Sequence, residues 1–254
     1  MNNRKYVLTI AGHDPSGGAG ITSDIKTFEA HGLYGLSVCT AVTVQNDIAF
    51  KQCDWVATET ILAQVDTLFE RFEINTVKIG LIESWHSLLL IVEKLHTINP
   101  SIKVVLDPVF KASAGFDFHS NEQQDVLNEI WKLCDIITPN YDEIQDLYPE
   151  MYLEETLQHI SRFTNVHLKG RHKEDKKGWD QLHHSKIVTV HIPPTLTEIS
   201  EKHGSGCVLS SALASNLDLA IELEDACRNA KLYTEQFLNS HPSLLEKHAN
   251  LTRT

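Results

Sequence analysis

The sequence predicts an α/β fold, a mostly parallel sheet with helices on both faces. Three observations carry that expectation. Short β-rich runs alternate with longer helical patterns along most of the chain. Gly12, Gln45, Gly80, Asp107 and Asn140 each stand just after one of those runs, on the edge where open α/β sheets bind ligands. The 254 residues fit one large α/β domain or two small ones, and are enough for a substantial core.

The elements follow in order. Residues 6–11 (Tyr-Val-Leu-Thr-Ile-Ala) read as a buried strand, 12–20 as a glycine-rich loop and 21–31 as a helix. Residues 36–44 form a second apolar strand. Residues 58–72 place Ile61, Leu62, Val65, Leu68 and Phe69 at helical spacing. A strand at 76–79, a helix at 84–98 and a strand at 103–106 come next. A helix over 122–133 leads into a strand at 136–138. Short helices near 142–147 and 154–162 precede a strand at 166–168. Residues 178–192 alternate partly between apolar and polar side chains, as a hairpin does. Helices at 207–217 and 223–239 close the chain. The charged run 173–178 is expected to be the most mobile loop, and the tail after about residue 241 to be loosely packed.

Composition excludes several classes. The formal net charge is −12, and no basic stripe of the kind that binds nucleic acid is visible. No apolar stretch approaches the length of a membrane span, and no secretory signal pattern opens the chain. The five cysteines are odd in number, widely spaced and without a Cys-x-x-Cys. That pattern speaks against a disulfide framework or a zinc site and fits a reducing cytoplasm. The fourteen histidines show no His-Glu-x-x-His pattern.

The chemistry concentrates in four places. Gly204-Ser205-Gly206-Cys207 precedes an apolar helical run. Its glycines let backbone N–H groups turn toward a ligand, and the helix start adds unpaired N–H groups and a positive dipole end. Together they form a phosphate cradle, with Cys207 at a position that lowers a thiol pKa. The plain alternative is a loop closing onto a buried helix. The second place is Gly12 to Gly20, followed by Asp24 in the first helical turn. It is neither a Walker A loop nor a dinucleotide fingerprint. Asp24 reads as a ligand-binding carboxylate or as a favourable charge near a helix start. The third is Gln45-Asn46, an amide suited to the edge of a nitrogen heterocycle or simply a strand-ending turn. The fourth is Thr138-Pro-Asn-Tyr-Asp-Glu143, where Asn140 and Glu143 fit water-mediated Mg²⁺ binding or a helix cap.

Taken together, these runs resemble the hydroxymethylpyrimidine/phosphomethylpyrimidine kinases of thiamine biosynthesis, within the ribokinase-like superfamily. The resemblance rests on residues 11–21 with Asp24, Lys26 and Thr27, on Gln45-Asn46, Lys78-Ile-Gly80 and Leu106-Asp-Pro-Val109. It continues through Ile137-Thr-Pro-Asn140 with Glu143, Lys169-Gly170 and His203-Gly-Ser-Gly-Cys207. It runs in the family's order to about residue 235. It implies a single ribokinase-like kinase domain over 1–254, a three-layer sandwich. By it, Gly12, Asp24 and Gln45 would hold an aminopyrimidine, and Leu81 and Val109 would pack on its ring. Asn140 and Glu143 would organise Mg²⁺ and the ATP phosphates, and Lys169 and Gly170 would lie along the nucleotide. Gly204, Ser205 and Gly206 would form the anion hole, and Cys207 would be the base. The implied substrates are the hydroxymethylpyrimidine and its monophosphate. Cys207 is shared with some bacterial pyridoxal kinases, the nearest alternative, whereas Gln45 favours the pyrimidine. A catalytically weak pyrimidine-binding protein is the alternative of another class. A homodimer is expected from the family.

The chain departs from the family pattern at three points. A Lys-Ser-Gly is replaced by Ser113-Ala114-Gly115, with Lys111 displaced. Arg171 replaces a second glycine. Glu201-Lys202 replaces Asn-Thr before His203. The missing lysine bears on the second phosphorylation. Lys111, Arg171 and Lys202 are the candidates to compensate, and a side chain that faces neither substrate nor phosphate is excluded from that role.

Overall fold

A computed structural model describes residues 4–109, 124–170, 178–184, 189–196, 202–245 and 248. The strands are β1 (Tyr6–His13), β2 (Tyr34–Gln45), β3 (Phe50–Trp55), β4 (Ile74–Ile79), β5 (Lys103–Leu106), β6 (Ile136–Ile137), β7 (Asn165–Leu168), β8 (Asp180–His183) and β9 (Thr189–Ile192). The helices are α1 (Gly20–Ala30), α2 (Thr58–Phe69), α3 (Trp85–Ile98), α4 (Gln124–Lys132), α5 (Tyr141–Leu147), α6 (Leu153–Ile160), α7 (Ser205–Asp218) and α8 (Leu223–Leu238). One sheet runs through them in the order β3-β2-β1-β4-β5-β6-β7-β8-β9. From β2 to β7 every pairing is parallel. Antiparallel strands close both edges: β3 against β2, and the β8–β9 hairpin against β7.

The expected elements are present, with shifts of a few residues at their ends. β3 is an addition. Phe50-Lys-Gln-Cys-Asp-Trp carries no apolar run, and Lys51, Gln52 and Asp54 are exposed, which an edge strand tolerates. Asn46 makes the turn into it, its Oδ1 accepting from the N–H groups of Ile48 (3.0 Å) and Ala49 (2.8 Å).

Two apolar layers cover the sheet. On one face Ile61, Val65, Leu88, Ile91, Leu127, Trp131 and Leu157 belong to one cluster. On the other, Phe28, Val208, Leu213, Ala226 and Tyr233 belong to a second. The residues of α7 from Val208 to Leu217 are all buried, so this helix is core on every side.

A buried ion pair joins the layers. Asp24 of α1 and Lys78 of β4 are both fully buried, with Nζ 2.9 Å from Oδ2 and 3.1 Å from Oδ1. Thr9 of β1 donates to Asp24 Oδ2 at 2.6 Å, and Ser211 of α7 to Oδ1 at 2.7 Å. Burial alone would lower the Lys78 pKa, but the Asp24 charge raises it above the ordinary lysine range. The placement of Asp24 corrects its expected role as a ligand-binding carboxylate. Its oxygens are filled from inside the protein and have no exposed surface.

Removing one partner of a buried pair leaves the other charge uncompensated. Lys78→Met is therefore expected to lower stability by about 3–5 kcal/mol, read by urea unfolding at neutral pH. A loss below about 1 kcal/mol, the range of surface ion pairs, would overturn this assignment.

Candidate active site

The carboxyl ends of the parallel strands form one continuous rim. The ladder extends one step past the strand ends: Gly80 N–H donates to Ile10 O, Asp107 to Ile79 O, Thr138 to Leu106 O and Lys169 to Pro139 O, each at 2.9 Å. Residues from four separate strand ends are thus held in register along the same edge.

Above the rim, two glycine loops meet backbone to backbone. Gly20 has φ +57°, and a Cβ there would stand 2.2 Å from Gly12 O. The first loop therefore folds back on the end of β1. Gly204 has φ +78°, and a Cβ there would stand 1.9 Å from Gly18 O. Only glycine permits both the left-handed conformation and that approach. A side-chain bridge reinforces the contact: His203 Nε2 lies 2.8 Å from Asp14 Oδ2. Asp14 also accepts from Ser16 N–H, Ser16 Oγ and Ala19 N–H, at 2.8, 2.8 and 2.9 Å. Burial would raise the Asp14 carboxyl, but the bonds from His203 and Ser16 hold it below the ordinary range. Neither Asp14 nor His203 has a foreseen role, because the bridge spans 189 positions.

Gly204 caps α7 without a side-chain hydrogen bond. The N–H groups of Ser205, Gly206 and Cys207 begin the helix and have no intrahelical acceptor. The helix start packs against a charged floor at Gly206. A Cβ on Gly206 would lie 3.4 Å from Lys169 Nζ and 3.5 Å from Asp107 Oδ2. Lys169 Nζ is 3.0 Å from Asp107 Oδ1 and 3.5 Å from Glu143 Oε2. Thr138 Oγ1 donates to Asp107 at 2.9 Å. Against its burial, Asp107 is held below the ordinary carboxylate range by the ammonium groups of Lys169 and Lys78. Burial pushes the Glu143 carboxyl up, with Lys169 opposing.

The helix-cap reading of Asn140 and Glu143 is the one seen here. They form a reciprocal capping box: Asn140 N–H donates to Glu143 Oε2 at 2.7 Å, and Glu143 N–H to Asn140 Oδ1 at 2.9 Å. Among the described residues, no three His, Cys, Asp or Glu side chains converge on a metal cage. A hydrated Mg²⁺ needs only one or two carboxylates and phosphate oxygens. Asp107 and Glu143 share the Lys169 ammonium, which leaves negative charge in excess beside the start of α7. That donor set fits such a cation.

The expectation for Cys207 is reversed in sign. Its helix-start position alone would lower the thiol pKa. Burial instead pushes it up to about 11, against the pull of the Lys78 ammonium and the Gly20 N–H. Cys207 therefore rests as a thiol at neutral pH.

The expected pyrimidine side lies along the same rim. Gly12 is buried against Leu81, whose Cδ2 a Cβ would meet at 2.9 Å. Val109 lines a small cavity with Gly80, Ile82 and Trp85. Gln45 ends β2 half-buried, and its side-chain amide bonds no other described residue. Gly170 is fixed by its N–H bond to Asp180 Oδ1 at 2.9 Å. The Lys111 and Ser113–Gly115 departures, Arg171, Glu201 and most of the charged 173–178 run lie outside the described residues. The Lys202 ammonium, one of the candidate phosphate-compensating cations, donates to the carbonyls of His241 and Ser243.

Comparison with known proteins agrees with this geometry. The family described as phosphomethylpyrimidine kinase matches residues 14–252. A hydroxymethylpyrimidine/phosphomethylpyrimidine kinase of Rhizobium meliloti is 32% identical over 236 residues, covering 89% of this chain and 87% of that protein. The crystal structure of phosphomethylpyrimidine kinase from Clostridium difficile superposes with a TM-score of 0.75 at 33% identity, covering 91% of this chain and 98% of that one. An ADP complex of Bacillus subtilis pyridoxal kinase gives 0.81 at 25% identity, covering 98% and 99%. Bare helix-start N–H groups over a lysine–carboxylate floor suit phosphoryl transfer, and with these likenesses the chain belongs to the phosphomethylpyrimidine kinase family.

Proposed function

We propose that this chain, as one kinase domain, transfers the γ-phosphoryl group of Mg·ATP to the hydroxymethyl oxygen of 4-amino-5-hydroxymethyl-2-methylpyrimidine. It then phosphorylates the resulting monophosphate, in thiamine biosynthesis. The observation that supports this reading is the glycine-flanked start of α7, Gly204–Ser205–Gly206, set against Lys169 and Asp107 at the strand rim. Phosphoryl transfer asks mainly for positioning and charge neutralisation, and these groups provide both. Bound Mg²⁺ would neutralise phosphate charge, with Glu143 and Asn140 holding it through water. Lys169 and Gly170 would lie along the nucleotide. Gly12, Gln45, Leu81 and Val109 would hold the ring, with Asp24 acting behind them through Lys78. The substrate oxygen would bond to phosphorus as the bond to the leaving ADP breaks, and the hydroxyl proton would pass to Cys207 Sγ in the fraction of enzyme whose thiol is ionised.

We place the reaction in the cytoplasm. Its supports are the five free cysteines and, among the described residues, the absence of any helix long and apolar enough to cross a membrane. A homodimer is part of the proposal. Val42 and Val44 on β2 and Ile48 beyond it, exposed at 48, 47 and 73%, offer it an apolar edge.

The test is ATP consumption with Mg²⁺ and the pyrimidine, its monophosphate or pyridoxal supplied separately. Turnover with both pyrimidines is expected. Turnover with pyridoxal alone would move the chain to the second reading, to which its likeness to the Bacillus kinase points. Turnover with the unphosphorylated pyrimidine alone would limit the enzyme to the first step.

Gln45→Met is expected to weaken pyrimidine binding by about 1–3 kcal/mol through a lost buried hydrogen bond. Unchanged affinity by calorimetry would place the ring elsewhere.

Cys207→Ala is expected to keep the fold and lower kcat by about 10²–10⁴-fold. A base must be ionised to accept the proton, and this thiol ionises near 11. The wild-type kcat is therefore expected to climb with pH from 7 toward 10, and the alanine variant to lose that slope. A flat wild-type profile would remove Cys207 from the base role.

A further inference from the structure

Lys202 stands two residues before the anion hole and breaks the family pattern there. Its side chain is buried, the residue 6% exposed, and its ammonium bonds two backbone carbonyls, those of His241 and Ser243. The next residue, His203, is held from two sides. Its backbone N–H donates to Leu244 O at 3.2 Å, and its ring bonds Asp14. Leu245 continues the contact: a Cβ on Gly18 would meet Leu245 Cδ2 at 2.8 Å and His203 Cδ2 at 2.6 Å. Beyond it, the His248 ring packs 4.9 Å from Phe237, with Nδ1 3.3 Å from both Tyr233 Oη and Thr27 Oγ1. Residues 241–245 thus run from the end of α8 past Lys202 and His203 to the first glycine loop, and the His248 ring stands between α8 and α1.

We propose that this C-terminal segment is a strap that holds Gly204–Gly206 in catalytic geometry, with Lys202 as the positioning residue that fastens it. The loose packing expected from sequence fits the exposure of residues 241–245 but not their bonds. The carbonyls of His241, Ser243 and Leu244 are tied to the two residues that lead into the anion hole. Backbone N–H donors act only when aimed at the developing charge, and a displacement of about 1 Å can lower a rate about a hundredfold. Without the strap, Lys202 would lose its bonds to the His241 and Ser243 carbonyls and His203 its backbone bond to Leu244 O, while the Asp14 bridge would stay. The effect on rate rests on the kinase reading, whereas the effect on the loop itself does not.

The experiment compares the full chain with a truncation after Ser240, with Lys202→Met and with Lys202→Arg. Three quantities are read: steady-state kinetics with the pyrimidine and ATP, melting temperature, and the rate of Cys207 alkylation by iodoacetamide, followed on its peptide by mass spectrometry. Truncation and Lys202→Met are expected to lower kcat about 10- to 100-fold, with both KM values changed less than about threefold. Cys207 alkylation is expected to accelerate about tenfold as the loop above it loosens, and Lys202→Arg to restore both. Should the truncated chain fail to fold, Lys202→Met, which keeps every backbone group, decides. A kcat and an alkylation rate within about twofold of wild type would overturn the strap. So would a loss of rate that follows melting temperature and vanishes on cooling. If the full chain turns over no substrate, the kinase reading falls, and the alkylation contrast alone still decides the strap.

Discussion

The carboxylate of Asp24 is the constraint on which the rest of the molecule depends. Four elements from both ends of the sequence converge on it: β1 through Thr9, β4 through Lys78, α7 through Ser211, and its own helix α1. A buried pair is seldom more stabilising than a well-packed apolar substitute, but it tolerates few alternatives in geometry. Here it fixes the position of α7 against the sheet. Since α7 begins at Ser205, its first turn carries the helix-start N–H groups proposed to hold phosphate, and their position depends on an interaction buried beneath them.

Above that pair the electrostatics are divided by function. Lys78 is matched by Asp24, so the inner layer is neutral. Lys169 is shared by Asp107 and Glu143, so the outer layer carries negative charge in excess. That division explains why the thiol at the head of α7 is hard to ionise. Burial, with the Asp24 and Asp107 carboxylates, outweighs the Lys78 ammonium and the Gly20 N–H. The same imbalance suits a site that works with a divalent cation and a polyphosphate together.

Most of the strand order of chemistry was legible in the chain. Apolar runs such as Tyr6 to Ala11 and Lys103 to Leu106 end in Gly12 and Asp107, and a parallel sheet brings such ends to one rim. What local pattern could not convey was partnership. Asp24 looks the same to its neighbours whether it faces a ligand or Lys78, 54 positions away. The signal was Lys78 itself, a cation inside the apolar run Thr76-Val-Lys-Ile79, which demands a buried anion. Cys207 misled for a related reason, since the helix-start argument omits burial, which only the folded protein supplies. Lys202 read as a surplus charge near phosphate, and the carbonyls that absorb it lie 39 and 41 positions later. β3 escaped because an edge strand needs no apolar face.

The Ser211–Asp24 bond spans 187 positions, and the backbone contact between Gly18 and Gly204 is nearly as long. During synthesis at roughly 5–20 residues per second, the first glycine loop therefore waits on the order of 10–40 seconds for its counterpart to leave the ribosome. Through that interval β1, α1 and β4 can pair among themselves, but the two glycine loops have not met. The proposed phosphate site is thus assembled only once nearly the last fifth of the sequence is reached.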